Sequence, residues 1–206
     1  MAWVYNIGVQ TQYAYQSDEQ KNNAVELYNY FTYLGATIES ICGMLGNITK
    51  ESGLNPGCKQ RSATTSGWGL IQWTPSTVLT NWASRVHVNW YDGAAQCERI
   101  QSEGTGQVED VYWIPTESYP YTWTQFLALT DTEEATKAYL YERERAGITD
   151  LQTRITYANY WYSYLTGQPT PPTPPPPTPP TPYRRDKKMP VYMMLCKKEL
   201  TIERRM

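Results

Sequence analysis

The stretch that decides the fold reads Ala36-Thr37-Ile38-Glu39-Ser40-Ile41-Cys42-Gly43-Met44-Leu45-Gly46-Asn47-Ile48-Thr49-Lys50-Glu51. Its apolar side chains recur at positions 41, 44, 45 and 48, which is the i, i+3, i+4, i+7 spacing of a helix that buries one face. Thr37 is suited to cap the start of this helix. The breaker run that ends it is Ser52-Gly53-Leu54-Asn55-Pro56-Gly57.

Glu51 continues the apolar face into the last turn of this helix. At about 100° per residue it falls beside Met44 on the helical wheel. We therefore expect its carboxyl to be partly desolvated, as a general acid requires. The structural alternative is a helix-end carboxylate that only pairs with Lys50 or with an arginine.

A second informative segment follows the breaker run. It reads Gly67-Trp68-Gly69-Leu70-Ile71-Gln72-Trp73. Aromatic residues separated by glycines are typical of a strand or hairpin that lies close to a ligand. The sequence predicts strand structure only here, near residues 64–74.

These two segments carry a family resemblance. The run Gly43–Pro56, followed by Gly67–Trp73, closely resembles the phage tail lysozyme family. More distantly, Glu51-Ser52 followed by Gly69-Leu70-Ile71-Gln72 is similar to signatures of goose-type lysozymes and lytic transglycosylases. The resemblance extends over roughly residues 15–165.

Later residues agree with the closer resemblance. They are Glu134-Ala135-Thr136, Tyr141-Glu142-Arg143, Arg154, Ala158 and Trp161-Tyr162. Where the family often has proline after Tyr-Glu-Arg, this chain has Glu144.

The expected fold is mainly α (α+β), a lysozyme-like helical domain with a small β-hairpin lobe, as the resemblance implies. A capping-box pattern at Ser17 to Gln20 opens a first helix, and Gly35 ends it. Residues 76–85 and 92–103 read as further helices. Caps and spacing also predict a helix from Thr130-Asp131-Thr132-Glu133 to about Arg145, and a last one over about 150–165.

Cleavage of a glycosidic bond needs an acid for the leaving oxygen and normally a second carboxylate. Glu51 fits the first role. No Asp or Glu lies between Glu51 and Asp92, which matches the single-glutamate pattern that the resemblance to lytic transglycosylases implies. Asp92 and Glu142 remain candidates for a second carboxylate if the outcome is hydrolysis.

Four neighbours of Glu51 in the two motifs are candidate substrate-binding residues. Ser52 can orient Glu51, and Gln72 can hydrogen-bond N-acetyl or backbone groups. Trp68 and Trp73 offer stacking faces. Each of the four can equally be a packing residue.

Metal and cofactor chemistry is not expected. The cysteines form no Cys-x-x-Cys pair, and His87 is the single histidine. A Cys58–Cys97 disulfide stays open as one interpretation, and small buried thiols are the other. No apolar run is long enough to span a bilayer.

The composition changes sharply after residue 167. Residues 168–182 contain ten of the chain's fifteen prolines and are expected to extend as a polyproline linker about 45 Å long. Residues 183–206 carry eight basic and three acidic residues, a net charge of +5, whereas residues 1–182 carry a net charge of −7. The tail is too short to fold alone. Nucleic-acid binding is one interpretation of such a basic segment, but its apolar run Val191–Leu195 favours docking on a protein.

The sequence thus predicts a catalytic domain at 1–167, a linker at 168–182 and a docking tail at 183–206. The predicted function is a glycosidase of the virion tail, at its tip or knob. It would be a muramidase or lytic transglycosylase that cleaves the MurNAc-GlcNAc backbone of peptidoglycan and opens the host wall locally during infection. Its expected partners are glycan strands and, through the tail, phage tail proteins, with no nucleic acid and no membrane span. The alternative is a catalytically inactive structural tail-tip or wall-binding module.

Overall fold

Helix α2 (Ile38–Ser52) is the central element of the computed structural model, which describes residues 2–60, 66–108, 113–144 and 150–167. It contacts most of the other helices of the domain. In chain order the elements are β1 (Gly8–Val9), α1 (Asp18–Tyr33), α2, β2 (Cys58–Lys59), α3 (Thr77–Arg85), α4 (Gly93–Gly104), α5 (Trp123–Leu127), α6 (Thr132–Ala138), a π-helix (Tyr139–Glu144) and α7 (Leu151–Thr166). The prediction of a mainly helical fold with a small β part is confirmed.

Both predicted ends of α2 are confirmed. The Thr37 side chain accepts a hydrogen bond from the backbone nitrogen of Ser40 at 3.2 Å. At the other end Gly53 adopts a left-handed conformation, with φ of 62°, which a glycine reaches without strain. Glu51 therefore lies in the last turn of a buried helix.

Two glycines allow neighbouring helices to contact the backbone of α2. A Cβ added to Gly43 would lie 2.7 Å from the backbone of Ala135 in α6. One added to Gly46 would lie 2.5 Å from the carbonyl oxygen of Arg154 in α7. The absence of side chains at these positions brings α6 and α7 close to the helix that carries Glu51.

The start of helix α1 follows the prediction. Ser17 caps it by accepting from the backbone nitrogen of Gln20 at 3.2 Å. The Gln20 side chain accepts from Gln16 rather than from Ser17, so the reciprocal half of the predicted capping box is absent from this part of the described chain. A complete capping box instead opens the short helix α5, at Thr122 and Gln125.

The β structure differs in detail from the predicted hairpin. The two named strands are parallel and two residues long, with Gly8 opposite Cys58 and Val9 opposite Lys59. Within the predicted 64–74 segment, Trp68 forms isolated antiparallel bridges with Lys59 and Trp73. The backbone turns tightly between Trp68 and Trp73, with positive φ at Gly69 and Gln72, and this leaves no room for longer strands.

The predicted helix ending near Arg145 changes its winding on the way. It is α-helical to Ala138 and π-helical over Tyr139–Glu144. A π-helical turn takes about one residue more than an α turn, and such turns are frequent at functional sites. Here it buries both Glu142 and Arg143.

The remaining helices, α3, α4 and α7, begin and end within one residue of the predicted bounds. Among the described residues, no helix has both the length and the apolar content that crossing a membrane requires. The predicted linker at 168–182 and tail at 183–206 lie outside the described residues.

Candidate active site

Glu51 forms an ion pair with a buried arginine of α7. The Nη2 atom of Arg154 lies 2.5 Å from Oε1 of Glu51. The arginine side chain is 3% exposed, and that of Glu51 is 22% exposed. The carboxyl is therefore fixed from the protein side while part of it stays open to solvent.

Asn47 holds this arginine in place one turn before Glu51. Its Oδ1 accepts a hydrogen bond from Nη1 of Arg154 at 3.1 Å. Its Nδ2 donates to the carbonyl oxygens of Gly43 and Thr136, at 2.9 and 3.0 Å. Because Asn47 is fully buried and bonded on both sides, α2, α6 and α7 together fix the direction of the guanidinium.

The ion pair has a defined chemical effect. A charge-assisted hydrogen bond from a guanidinium fixes the direction of a carboxylate more firmly than a neutral hydrogen bond does. The contact with Arg154 therefore orients the Glu51 carboxyl in the last turn of α2. The pairing with an arginine is also what the structural alternative for Glu51 predicted.

The N-terminal segment lies along the end of α2. The Gln12 side chain donates to the backbone oxygen of Glu51 at 2.9 Å. A Cβ added to Gly53 would lie 2.7 Å from the backbone of Tyr13. On the other side of the site, Lys50 forms an ion pair with Asp150, and this hydrogen bond lowers the pKa of the Asp150 carboxyl. Sequence reasoning did not assign Gln12 or Asn47 to the site, because both act through contacts distant in sequence.

Ser52 and Gln72 hold backbone groups near the site. Ser52 is fully buried, and its hydroxyl donates to the carbonyl oxygen of Ile48 at 3.3 Å. Gln72 is partly exposed in a left-handed conformation and donates to the carbonyl oxygens of Gly69 at 2.7 Å and Cys58 at 3.4 Å. In these contacts Gln72 stabilises its own turn through its amide nitrogen.

The two predicted stacking tryptophans lie in different environments. Trp68 is half-buried, with Nζ of Lys59 4.1 Å from its ring centroid and the Trp90 ring 4.7 Å away. Trp73 is 2% exposed and donates through Nε1 to Glu103 at 2.6 Å. A sugar can stack only on exposed ring surface, which the half-buried Trp68 retains in part and the buried Trp73 does not.

Glu103 connects Trp73 to a buried charge network. Its carboxylate lies 2.8 Å from Nε of Arg99 and 2.6 Å from Nη2 of Arg143. Two guanidinium groups and an indole N–H compensate the cost of burying this carboxylate. The network ties α4 and the hairpin-like turn to the π-helix.

The two candidate second carboxylates both have structural partners. Asp92 accepts from the backbone nitrogens of Ala94 and Ala95, at 2.9 and 3.2 Å, and so caps α4. Glu142 is fully buried and accepts from the backbone nitrogen of Tyr121 at 3.1 Å. Burial raises the pKa of Glu142 to about 8, against the lowering effect of its backbone hydrogen bonds. In the described contacts neither carboxyl is joined to Glu51.

The charge of Glu51 also acts on a different carboxyl, Glu144. Burial, and next the negative charge of Glu51, raises the pKa of Glu144 to about 8, while Arg143 and Arg154 oppose the rise. Its Oε1 atom is buried and has no hydrogen-bond partner among the described residues. The sequence marked Glu144 only as a departure from the family pattern and gave no signal that the charge of Glu51 acts on it.

The described cysteines are buried thiols. Cys42, Cys58 and Cys97 are free, so the interpretation of small buried residues applies to Cys58 and Cys97 rather than the disulfide. Burial raises the pKa of each thiol. Within the described ranges, no group of three or more His, Cys, Asp or Glu residues is placed to hold a metal ion.

Comparison with known proteins agrees with this architecture. Residues 22–165 match the phage tail lysozyme family. The chain is also 35% identical over 154 residues to Morphogenesis protein 1 of Bacillus phage B103. That alignment covers 73% of this chain and 41% of the relative, so the chain corresponds to less than half of that protein. The match over residues 22–165 shows that the chain belongs to the phage tail lysozyme family.

Proposed function

We propose that the protein is a peptidoglycan glycosidase of a phage particle and that Glu51 donates the proton to the glycosidic oxygen between MurNAc and GlcNAc. One observation carries this proposal. Glu51 is a partly exposed carboxyl at a helix end, and a buried Arg154–Asn47 arrangement fixes its direction. A fixed and accessible carboxyl is what proton transfer to a bound substrate requires.

The reaction proceeds in two stages in this proposal. Glu51 first protonates the leaving oxygen as the glycosidic bond breaks and an oxocarbenium-like centre forms. The ionised Glu51 is then stabilised by Arg154 and acts as base. It takes a proton either from water, which gives hydrolysis, or from the sugar's own hydroxyl, which gives a 1,6-anhydro end.

The substrate-binding residues divide by accessibility. Gln72 and Trp68 are accessible enough to contact a glycan directly. Ser52 and Trp73 are buried, so we assign them to supporting the end of α2 and the turn at 69–72. Asp92 and Glu142 stay candidates for a second carboxylate. Because both carboxyls accept hydrogen bonds from the backbone, we favour a reaction in which Glu51 is the acid and acts without either of them.

We place the enzyme in the virion tail, at its tip or knob, where it opens the host wall during infection. Support comes from the family and from the name of the Bacillus phage B103 relative, which refers to morphogenesis. Docking on tail proteins is assigned to residues 183–206, on the basis of their basic charge and apolar run.

A catalytically inactive wall-binding or structural module is the second candidate. The Glu51–Arg154 ion pair favours this candidate, because an ion pair with a buried arginine can have a purely structural role. The two candidates differ in their products.

The test is digestion of purified peptidoglycan, with mass spectrometry of the fragments. We expect cleavage by the wild type, and a loss of at least about 100-fold in Glu51→Gln, because glutamine keeps the shape but cannot donate the proton. Glu98→Gln, at an exposed position on α4, is the matched control and should stay active. Reducing ends indicate hydrolysis and 1,6-anhydro ends indicate transglycosylation. Wall binding without fragments, or a fully active folded Glu51→Gln, contradicts the proposal.

A further inference from the structure

Four aromatic side chains form a continuous row that begins at the turn of residues 68–73. The ring centroids of Trp68 and Trp90 lie 4.7 Å apart, those of Trp90 and Tyr91 5.5 Å, and those of Tyr91 and Tyr5 4.8 Å. Tyr5 is 50% exposed, and the other three rings are partly exposed. We call these four residues the aromatic row. The proposed function uses only Trp68.

A positive charge lies at the Trp68 end of the aromatic row. The Nζ atom of Lys59 is 4.1 Å from the ring centroid of Trp68 and 5.3 Å from that of Trp90. The face of an indole attracts an ammonium group, so the two rings hold this charge in a defined position. Lys59 is itself only partly buried, and solutes can reach it.

Lys59 differs in its contacts from the other lysines of the described chain. These other three each pair with a carboxylate: Lys21 with Asp18, Lys50 with Asp150 and Lys137 with Glu133. Within the described ranges Lys59 forms no ion pair, and its charge lies over the two indoles instead. Asp92 follows Tyr91 in the chain, but its carboxylate caps α4. The charge of Lys59 is thus available to an anion from outside the described chain.

A buried amide fixes the tryptophan end of the aromatic row. The Nε2 atom of Gln96 donates to the carbonyl oxygens of Trp90 at 2.6 Å and Pro56 at 2.9 Å. Its Oε1 atom accepts from the backbone nitrogen of Leu70 at 2.7 Å. Because Gln96 is fully buried, these bonds hold Trp90 against the turn and against the segment that follows α2.

A second buried amide fixes the other end. The Asn55 side chain accepts from the backbone nitrogen of Asn6 at 3.0 Å and donates to its carbonyl oxygen at 2.7 Å. Asn6 follows Tyr5 in the chain, and Asn55 is fully buried. The aromatic row is therefore positioned before any ligand binds, which lowers the entropy cost of binding.

The combination of rings and charge defines a class of ligand. Tyrosine and tryptophan rings have an apolar face and a polar edge, which suits contact with a sugar. An ammonium group donates hydrogen bonds and pairs with carboxylates. A neutral sugar would use the rings alone, whereas a sugar with a carboxylate would use the rings and Lys59 together.

We propose that the aromatic row and Lys59 bind a peptidoglycan strand through a MurNAc unit, with Lys59 pairing with the carboxylate on its lactyl group or stem peptide. The inference rests on the proposed function, in which peptidoglycan is the substrate. Lys59 acts in binding and takes no part in breaking the glycosidic bond. Since Asn55 and Pro56 belong to the segment that follows α2, the strand is held by residues joined to the helix of Glu51.

The test compares a charged ligand with a neutral one of equal length. The ligands are chitotetraose and a peptide-free tetrasaccharide of alternating GlcNAc and MurNAc, titrated by calorimetry into the full chain with Glu51→Gln so that neither is cleaved. We expect the charged ligand to bind at least about threefold more tightly at low salt. Adding Lys59→Gln should abolish this preference without weakening chitotetraose binding.

Two further substitutions in the same background serve as comparisons. Lys21→Gln removes a lysine that is already paired with Asp18 and should leave the preference unchanged. Tyr5→Ala should weaken both ligands and keep the preference, because it removes a ring and no charge. Circular dichroism verifies that each variant is folded. A preference that persists in Lys59→Gln, or equal affinity of the parent protein for both ligands, overturns the proposal.

A matching tetrasaccharide with stem peptides, whose lactyl groups are amidated, separates the two carboxylate sources. If it is also preferred over chitotetraose, the result supports pairing with the stem carboxylate. If only the peptide-free form is preferred, the result supports pairing with the lactyl group.

Indole resonances locate the binding site. The N–H signals of Trp68 and Trp90 can be assigned by their absence in the Trp→Phe variants. Both should shift when the charged tetrasaccharide is added, whereas the signal of Trp123, which is buried and bonded to Gln101, should not. Unchanged Trp68 and Trp90 signals at saturation overturn the proposal.

The outcome is separable from that of the catalytic assignment. Cleavage of peptidoglycan by a wild type whose charge preference does not depend on Lys59 overturns this inference and leaves the proposed function standing. A Lys59-dependent preference in a chain that releases no fragments supports the binding site and contradicts the proposed glycosidase.

Discussion

Arg154 is the residue on which the geometry of the site depends. It is almost fully buried and contacts two residues of α2 one turn apart, Asn47 and Glu51. A planar guanidinium can make both contacts at once, which a lysine ammonium cannot do in the same geometry. The direction of the Glu51 carboxyl is thus set from α7, 103 residues away in sequence.

At the same scale, Glu142 should make the stability of the fold depend on pH. Its folded pKa of about 8 lies above its ordinary value of 4.5 because the carboxyl is buried. Between these values the folded state binds a proton that the unfolded chain has released. The free energy of unfolding should therefore fall as pH rises through this window, with a limiting slope of about 1.4 kcal/mol per pH unit for one such group.

Urea denaturation of the wild type and of Glu142→Gln between pH 5 and about pH 8 measures this slope. The variant should lose a large part of it, because glutamine keeps the acceptor for Tyr121 but does not titrate. Glu98→Gln, at an exposed position, should retain the full slope. Identical slopes in all three proteins would show that Glu142 is ionised in the folded state.

At the scale of helices, the close contact between α2 and α7 transmits any change in packing to the site. Gly46→Ala places a methyl group 2.5 Å from the Arg154 carbonyl oxygen and 2.8 Å from Cβ of Ala158. Since the backbone must move, we expect a loss of about 1–3 kcal/mol of stability, partly offset by the better helix propensity of alanine. Catalytic activity should fall by more than the loss of folded protein explains, because the displaced helix α7 carries Arg154.

Gly43→Ala is the matched comparison. Its methyl group would lie 2.7 Å from Ala135, so it displaces α6 rather than α7. Both variants should show lower denaturation midpoints, and Gly46→Ala should have the lower kcat/KM at equal folded fraction. Equal losses of activity would indicate that activity depends no more on the position of α7 than on that of α6.

The elements that the sequence predicted well are those whose signals are local. The i, i+3, i+4, i+7 stripe and the caps at Thr37 and Gly53 are read from adjacent residues, and they fixed α2 and the position of Glu51. Helix α5 was missed because five residues are too few to show a period, although its capping box was present. The π-helix was missed because its winding depends on the packing of Tyr139 and Arg143 in the core.

The candidate site shows the same division. The position of Glu51 on the apolar face could be predicted, whereas its contact with Arg154 depends on how distant helices pack. Trp73 has the same residue type and motif as Trp68, yet its indole is directed to Glu103 in the core. Tryptophan in a glycine-rich turn suits both environments, so only tertiary contacts distinguish them.

At the scale of the whole molecule, the described contacts of the site all lie before residue 167. Residues 1–167 should therefore fold and cleave peptidoglycan without the basic segment 183–206. In tail assembly reactions, chains truncated before Gln168 should stay enzymatically active but be lost from particles. Normal incorporation would assign docking to the catalytic domain, and loss of solution activity would assign the tail to the catalytic fold.

The π-helix at Tyr139–Glu144 has a consequence for how this segment tolerates changes in length. Because a π turn corresponds to an α turn with one residue inserted, deletion of a single codon here permits an ordinary α-helix. Residues beyond the deletion would then rotate by about 100° around the axis, and Arg143 would lose its contact with Glu103. A point substitution at Arg143 removes this one contact, whereas the number of residues in the segment sets the direction of every side chain that follows it.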